Sequence, residues 1–93
     1  MSLNEQRQGL VKLIAEYESQ VTRKEMLENP EIEDLYEEGS LGNVLTEISF
    51  DKDSEDNQKP LKRRKEGRSW KYQVSDYGRQ KIREWKEAEQ SFA

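Results

Sequence analysis

Cationic side chains are concentrated in one short stretch of this 93-residue chain, the thirteen residues from Lys59 to Lys71. Seven of the thirteen are Lys or Arg, and the only acid among them is Glu66. These cations are Lys59, Lys62, Arg63, Arg64, Lys65, Arg68 and Lys71. Cations packed this densely neutralise phosphates, so the stretch is typical of a surface that binds a polyanion such as a nucleic acid.

The rest of the chain carries the opposite charge. Residues 1–58 have 5 basic and 15 acidic side chains, a net charge of −10, whereas residues 59–93 have 11 basic and 5 acidic side chains, a net charge of +6. A basic hairpin can also serve only to protect a sheet edge from aggregation, and that alternative stays open. The asymmetry favours one surface that meets a polyanion and another that does not.

Catalytic and metal-binding chemistry is poorly supported. The chain has no Cys and no His, which excludes disulfides, Cys/His zinc sites, thiol nucleophiles and imidazole bases. The acids Asp51, Asp53, Glu55 and Asp56 partly resemble a calcium loop, but Asp56 stands where Gly is required and Lys62 where a bidentate Glu is required. We predict no enzymatic activity, no metal site and no cofactor.

Length and composition fit one small folded domain over residues 1–93. Eight aromatic residues (two Trp, four Tyr and two Phe) argue against a wholly disordered chain, although 39% of the residues are charged. No apolar run approaches the roughly 18 residues of a membrane span, and the N-terminus lacks the pattern of a signal peptide. We expect a soluble cytoplasmic protein that does not contact membranes.

Apolar spacing predicts four helical segments before the basic stretch. The first covers residues 4–17, on a stripe of Leu10, Leu13, Ile14 and Tyr17. A second begins at a capping box of Thr22 and Glu25 and stops near Asn29. Pro30 opens a third, which Gly39 ends. Ser40 caps a fourth that runs to about Phe50, with Leu41, Val44, Leu45 and Ile48 on one side. An exposed acidic loop follows over 51–59.

The basic stretch itself alternates with period two, which predicts a β-hairpin with Glu66-Gly67 as its turn. Pairing Lys65 with Arg68 sets Leu61 opposite Tyr72 and Arg63 opposite Trp70, so the Arg63 guanidinium lies near the Trp70 ring. In that register the side chains of Lys62, Arg64 and Lys71 lie on the face opposite Leu61, Trp70 and Tyr72.

A last helix is predicted from a Ser75-Asp76 cap to about Gln90. Its apolar side consists of Tyr77, Ile82, Trp85, Ala88 and Phe92. Trp85, Ala88 and Phe92 form an edge that extends beyond the expected core, which favours a homodimer formed through the last helix, the first helix or both.

This order of elements resembles the winged helix-turn-helix DNA-binding domains. Residues 61–79 (LKRRKEGRSWKYQVSDYGR) are similar to the wing and following helix of the MarR and PadR groups. There a basic strand, a polar turn with Gly, an aromatic-rich strand and a Ser/Thr-x-x-Gly helix start follow one another, and Ser75-Asp76-Tyr77-Gly78 matches that start. The fold class is therefore expected to be α+β, mainly α, with three to four N-terminal helices, a hairpin wing and a C-terminal helix.

The resemblance implies a small transcriptional regulator that binds double-stranded DNA. The Ser40–Phe50 helix would lie in the major groove and the hairpin would contact the backbone. The wing residues implied are Lys62, Arg63, Arg64, Lys65, Arg68 and Lys71. On the helix, Ser40, Asn43, Thr46 and Glu47 would face the bases, and Arg23 and Lys24 would add a phosphate contact at the start of the second helix.

A second hypothesis keeps the winged-helix fold but makes it a protein-interaction module. The Ser40–Phe50 helix contains no Lys or Arg, whereas Arg to guanine is the commonest base-specific contact. In this hypothesis the acidic N-terminal surface docks a basic protein partner. The side chains concerned are Glu31, Glu33, Asp34, Glu37 and Glu38.

Overall fold

The computed structural model describes residues 4–52 and 58–90, with side chains described as far as Ala88. This part of the chain forms a small α+β domain of five helices and four strands, which confirms the expectation of a mixed α+β fold. The helices are α1 (Glu5–Ala15), α2 (Arg23–Leu27), α3 (Pro30–Leu35), α4 (Glu38–Ile48) and α5 (Asp76–Gln90). The strands are β1 (Val21–Thr22), β2 (Ser49–Asp51), β3 (Leu61–Glu66) and β4 (Ser69–Val74).

The predicted hairpin is the centre of a four-stranded sheet in the order β1-β4-β3-β2. Strands β3 and β4 are antiparallel, β1 adds to β4 as a short antiparallel strand, and β2 runs parallel to β3. Strand β1 directly precedes α2, so its pairing with β4 fixes the start of α2 against the hairpin.

Helices and sheet share one hydrophobic core. Its buried members come from every helix and from β1, β3 and β4: Leu10, Val11, Ile14, Val21, Met26, Ile32, Tyr36, Leu41, Val44, Leu45, Ile48, Leu61, Tyr72, Val74 and Ile82. On α5, Ile82 is buried, Tyr77 and Trp85 are half-buried and Ala88 is exposed, whereas Phe92 lies outside the described residues. The predicted apolar positions of α1, α4 and the hairpin thus supply most of the core.

Local capping chemistry sets the starts of three helices as the sequence predicts. Thr22 Oγ1 accepts a hydrogen bond from Glu25 N–H at 3.2 Å, and Glu25 Oε1 accepts one from Thr22 N–H at 3.1 Å, so the capping box is confirmed. Asn29 caps α3 with Pro30 in its first turn. Ser75 Oγ accepts from Gly78 N–H at 3.0 Å at the start of α5.

The predicted boundary between the third and fourth helices is wrong. Gly39 does not end a helix and Ser40 does not cap one, because α4 begins at Glu38 and includes both in its first turn. The break falls at Tyr36, whose backbone is extended (φ −141°, ψ 138°) and whose side chain is buried in the core. The end of α3 is therefore set by burial of the Tyr36 ring and not by Gly39.

The predicted end of the fourth helix is also wrong. The helix ends at Ile48, and Ser49–Asp51 continues as β2, paired with Leu61–Arg63 of β3. Strand β3 offers free backbone groups on this edge, and three extended residues satisfy them. Asp51 and Lys52 therefore belong to the sheet edge rather than to an acidic loop, and residues 53–57 of that predicted loop, with their calcium-like acids, lie outside the described residues.

The predicted hairpin register is wrong by two residues. The loop is Gly67-Arg68 rather than Glu66-Gly67, so Glu66 pairs with Ser69 and Leu61 pairs with Val74 instead of Tyr72. Gly67 has a φ of +65°, which suits Gly at the first position of a two-residue loop. A shift of two keeps every side chain on its predicted face, because strand side chains alternate with period two.

The buried hydroxyl of Tyr36 predicts a stability change. It has no hydrogen-bond partner of ordinary geometry among the described residues, and an unsatisfied buried hydroxyl costs about 1–3 kcal/mol. We expect Tyr36→Phe to raise the free energy of unfolding by about 1 kcal/mol in urea titrations. Tyr77→Phe, at a half-buried ring on α5, is the control and should change it little. A loss of stability in Tyr36→Phe would show that the hydroxyl is satisfied in solution.

The same residue predicts a loss of stability at alkaline pH. Burial raises the pKa of Tyr36 above its usual value near 10, and the nearby charge of Arg7 opposes this effect only in part. Because the folded state holds the proton more tightly than the unfolded state, this contribution to stability is complete below pH about 10 and is lost as the pH rises further. Tyr36→Phe should show less of this alkaline loss.

Candidate nucleic-acid interface

A groove of about 730 Å³ lies between the start of α2, the exposed face of α4 and one face of the hairpin. Each of its walls carries residues that the sequence singled out. Arg23 and Lys24 come from α2, Asn43 and Thr46 from α4, and Arg63 and Arg68 from the hairpin. The fold thus brings together six predicted contact residues from three separate parts of the chain.

The groove is positively charged. Four cationic side chains line it, Arg23, Lys24, Arg63 and Arg68, against one acid, Glu38. Within the described part of the chain, Arg63 is the only one of these cations with an ion-pair partner, Asp51, at 2.7 Å between Nε and Oδ1. Unpaired cations around a concave surface raise the local concentration of anions, so the groove is suited to a chain of phosphates.

An aromatic ring holds the hairpin wall of the groove in place. Arg63 Cζ lies 4.3 Å from the centroid of the Trp70 ring, and Lys65 Nζ lies 5.9 Å from it. The predicted contact between Arg63 and Trp70 is confirmed, although the two residues are diagonal neighbours because Arg63 pairs with Tyr72. The cation–π contact and Asp51 together hold the Arg63 guanidinium in position on this wall.

On α4, all four predicted contact residues keep exposed side chains, and three of them make no ion pair within the described residues. Ser40, Asn43 and Thr46 are exposed, but Ser40 does not line the groove. Thr46 Oγ1 donates to the Gly42 carbonyl at 3.1 Å. The fourth residue, Glu47, forms a two-point ion pair with Arg7 of α1. Arg7 Nη1 lies 3.1 Å from Glu47 Oε1, and Arg7 Nη2 lies 2.6 Å from Glu47 Oε2. Glu47 is therefore committed to holding α1 against α4, and its predicted role at a base is not supported.

The six predicted wing cations divide between the two faces of the hairpin. Arg63 and Lys65 lie on the face that carries Trp70, and Arg68 lies in the loop. Lys62, Arg64 and Lys71 lie on the other face, where Lys62 lines a separate depression beside Phe50 and Gln73. Of the six, Arg63 and Arg68 line the groove, whereas Lys65 shares the face of Trp70 without lining it.

Glu66 neutralises part of the second group. Its Oε2 lies 3.2 Å from Arg64 Nη2 and 3.1 Å from Lys71 Nζ. The hydrogen bond from Lys71, with the charges of Lys71 and Arg64, lowers the pKa of Glu66 below its ordinary value, so the carboxylate is ionised at neutral pH. The face of the hairpin away from the groove is consequently less available to phosphates than its cation count indicates.

Removal of this carboxylate is expected to strengthen binding to duplex DNA. Glu66→Gln releases Arg64 and Lys71 and removes one negative charge from the hairpin, so we expect a rise of about two- to fivefold in affinity at 0.1 M salt. Fluorescence anisotropy of a labelled random duplex measures it. Glu87→Gln changes the net charge equally on α5, away from the groove, and equal effects of the two variants would show that net charge alone is responsible.

The sequence assigned no contact role to the other groove residues, of which Gly42 and Glu38 bear most on its geometry and charge. Gly42 leaves space on the face of α4 that Arg23 occupies, with Arg23 Nη1 3.0 Å from the position that a Cβ on Gly42 would take. Glu38 adds an acid at the edge of the groove because α4 begins two residues before the predicted cap. The spacing of Gly42 and Asn43 was visible in the sequence, but no local signal places Arg23 beside them.

A second, acidic surface lies on α3 and at the start of α4. Its side chains are exposed and make no ion pairs within residues 4–52 and 58–90: Glu31, Glu33, Asp34, Glu37 and Glu38. In the same ranges no group of three or more His, Cys, Asp or Glu side chains is placed to share a metal ion. The surface is an extended negative patch.

Comparisons with protein-family models, curated proteins and solved structures found no match to this chain. In the portion that the structure describes, no helix combines the length and apolarity that a bilayer crossing requires.

Proposed function

We propose that this chain is a winged helix-turn-helix domain that binds double-stranded DNA and acts as a small transcriptional regulator. The order of α2, α3, α4 and a β-hairpin, with a short strand before α2 paired to the hairpin, supports this assignment. In such a domain α4 is the recognition helix in the major groove and the hairpin is the wing beside the backbone.

One observation carries the proposal, namely the cationic groove between α2, α4 and the hairpin. Its cations come from two elements beside the exposed face of α4, with Lys24 supplied by α2 and Arg68 by the hairpin loop. A helix in the major groove is flanked by the two phosphate backbones, so cations on either side of it can bind both strands. Asn43 then lies on the helix face that meets the base edges, where its amide can pair with adenine.

Binding of this kind is driven largely by release of counterions from DNA. With three or four phosphates neutralised, the logarithm of affinity should fall with the logarithm of salt concentration with a slope of about −3. The test is fluorescence anisotropy of a labelled random-sequence duplex titrated with the protein at several salt concentrations. Absence of binding at about 50 mM salt would contradict the proposal.

The acidic patch favours a second candidate function, a protein-interaction module that docks a basic partner. The patch has five exposed carboxylates that make no ion pair in the described part of the chain. Such carboxylates attract a positively charged partner. The test replaces all five with Gln or Asn and measures binding of an arginine-rich peptide. This function would be established over the first by two results together. The wild-type protein binds the peptide but not duplex DNA, and the variant loses the peptide binding.

A further inference from the structure

The recognition surface of α4 contains no cation of its own, yet a guanidinium lies on it. Arg23, the first residue of α2, extends across α4 at Gly42, with Nη1 3.0 Å and Cδ 4.0 Å from the position of a Cβ on Gly42. Arg23 is exposed, lines the groove with Asn43 and Thr46, and has no ion-pair partner among residues 4–52 and 58–90.

From this geometry we infer that Arg23 is the base-reading arginine of this domain and selects a guanine, an inference that rests on the proposed DNA binding. Lys24 and Arg68 line the groove from α2 and from the hairpin loop, where a cation can bind phosphate. Arg23 lies instead over the helix face, in the space that Gly42 leaves by lacking a side chain, one residue from Asn43. The guanidinium fork matches guanine O6 and N7, and the Asn43 amide matches an adjacent adenine.

The reader of bases is thus composite, with the arginine supplied by α2 and the amide supplied by α4. Gly42 is part of the device, because a Cβ there would meet Arg23 Nη1 at 3.0 Å and displace the guanidinium. The displaced group is the end of a flexible side chain, and Ala favours the helix, so Gly42→Ala should fold normally. The positive charge of Arg23 is retained in that variant.

The experiment selects preferred duplexes from a randomised library with the wild-type protein, then measures affinities by anisotropy for the selected site and for the site with its guanine replaced. Variants are Arg23→Lys, Arg23→Ala and Gly42→Ala, with Lys24→Ala as the matched control from the neighbouring position. Wild type should prefer the guanine site about tenfold or more. Arg23→Lys and Gly42→Ala should reduce that preference to within about twofold while the salt slope stays unchanged.

The outcomes separate this inference from the proposed function. Lys24→Ala should weaken binding to every duplex equally and keep the guanine preference. If Arg23→Ala and Arg23→Lys do the same, Arg23 is a phosphate contact and the inference is wrong. Full preference in Gly42→Ala counts against it too. A wild-type protein that binds duplexes without base preference overturns the inference but leaves the proposed function standing, whereas no duplex binding overturns both.

Discussion

Replacement of Lys24 and Arg68 together by Glu is expected to lower the affinity for duplex DNA by about a hundredfold or more at 0.1 M salt. The two cations line the groove from different elements, α2 and the hairpin loop, and neither has an acidic partner in the described part of the chain. Their reversal removes two phosphate contacts, each contributing roughly tenfold at this salt concentration, and adds repulsion on both strands.

The salt dependence gives this variant a second readout. Loss of two phosphate contacts should reduce the slope of log affinity against log salt by about 2. The matched control is Arg79→Glu with Arg83→Glu, which makes the same change in net charge at exposed positions of α5 away from the groove. If the α5 pair weakens binding as much as the groove pair, the groove is not the binding site.

The largest expected effect on stability is that of Gly78→Ala. A Cβ at Gly78 would lie 2.1 Å from the Pro60 carbonyl oxygen, 2.9 Å from the Pro60 carbonyl carbon and 2.9 Å from Val74 Cγ1. The obstacle is backbone, and it is fixed, because the same oxygen accepts a hydrogen bond from Ser75 N–H at 2.9 Å. Relief of the clash would move α5 away from β3 and break its cap.

We expect Gly78→Ala to lose about 3 kcal/mol or more of unfolding free energy. A domain of this size is stable by only about 5–14 kcal/mol, so the midpoint of thermal unfolding should fall by about 10–20 °C. Circular dichroism during heating measures this. Gly39→Ala is the control, because no atom lies within 4 Å of a Cβ there. Its midpoint should stay the same or rise slightly, and an unchanged midpoint in Gly78→Ala would show that Pro60 can move.

Features that depend on neighbouring residues in the chain were predictable from the amino-acid sequence. The Thr22 and Glu25 capping box, the Pro30 helix start and the Ser75 cap are interactions within three residues of the chain, so their patterns are readable locally. Strand alternation likewise separated Arg63 and Lys65 from Lys62, Arg64 and Lys71 without knowledge of the register. Six of the residues that line the groove were identified as candidate contacts from such local patterns.

Which of those residues contact one another depends on the packing of the helices against the sheet. Burial of the Tyr36 ring accounts for the start of α4 at Glu38 rather than at Ser40. Ser49–Asp51 forms a strand because it pairs with the edge of β3. Glu47 forms an ion pair with Arg7 of α1 and is therefore not available as a contact residue. The placement of Arg23 over Gly42 joins positions 19 residues apart. Such contacts depend on how whole elements pack, because packing chooses among surfaces that are equally compatible with local sequence.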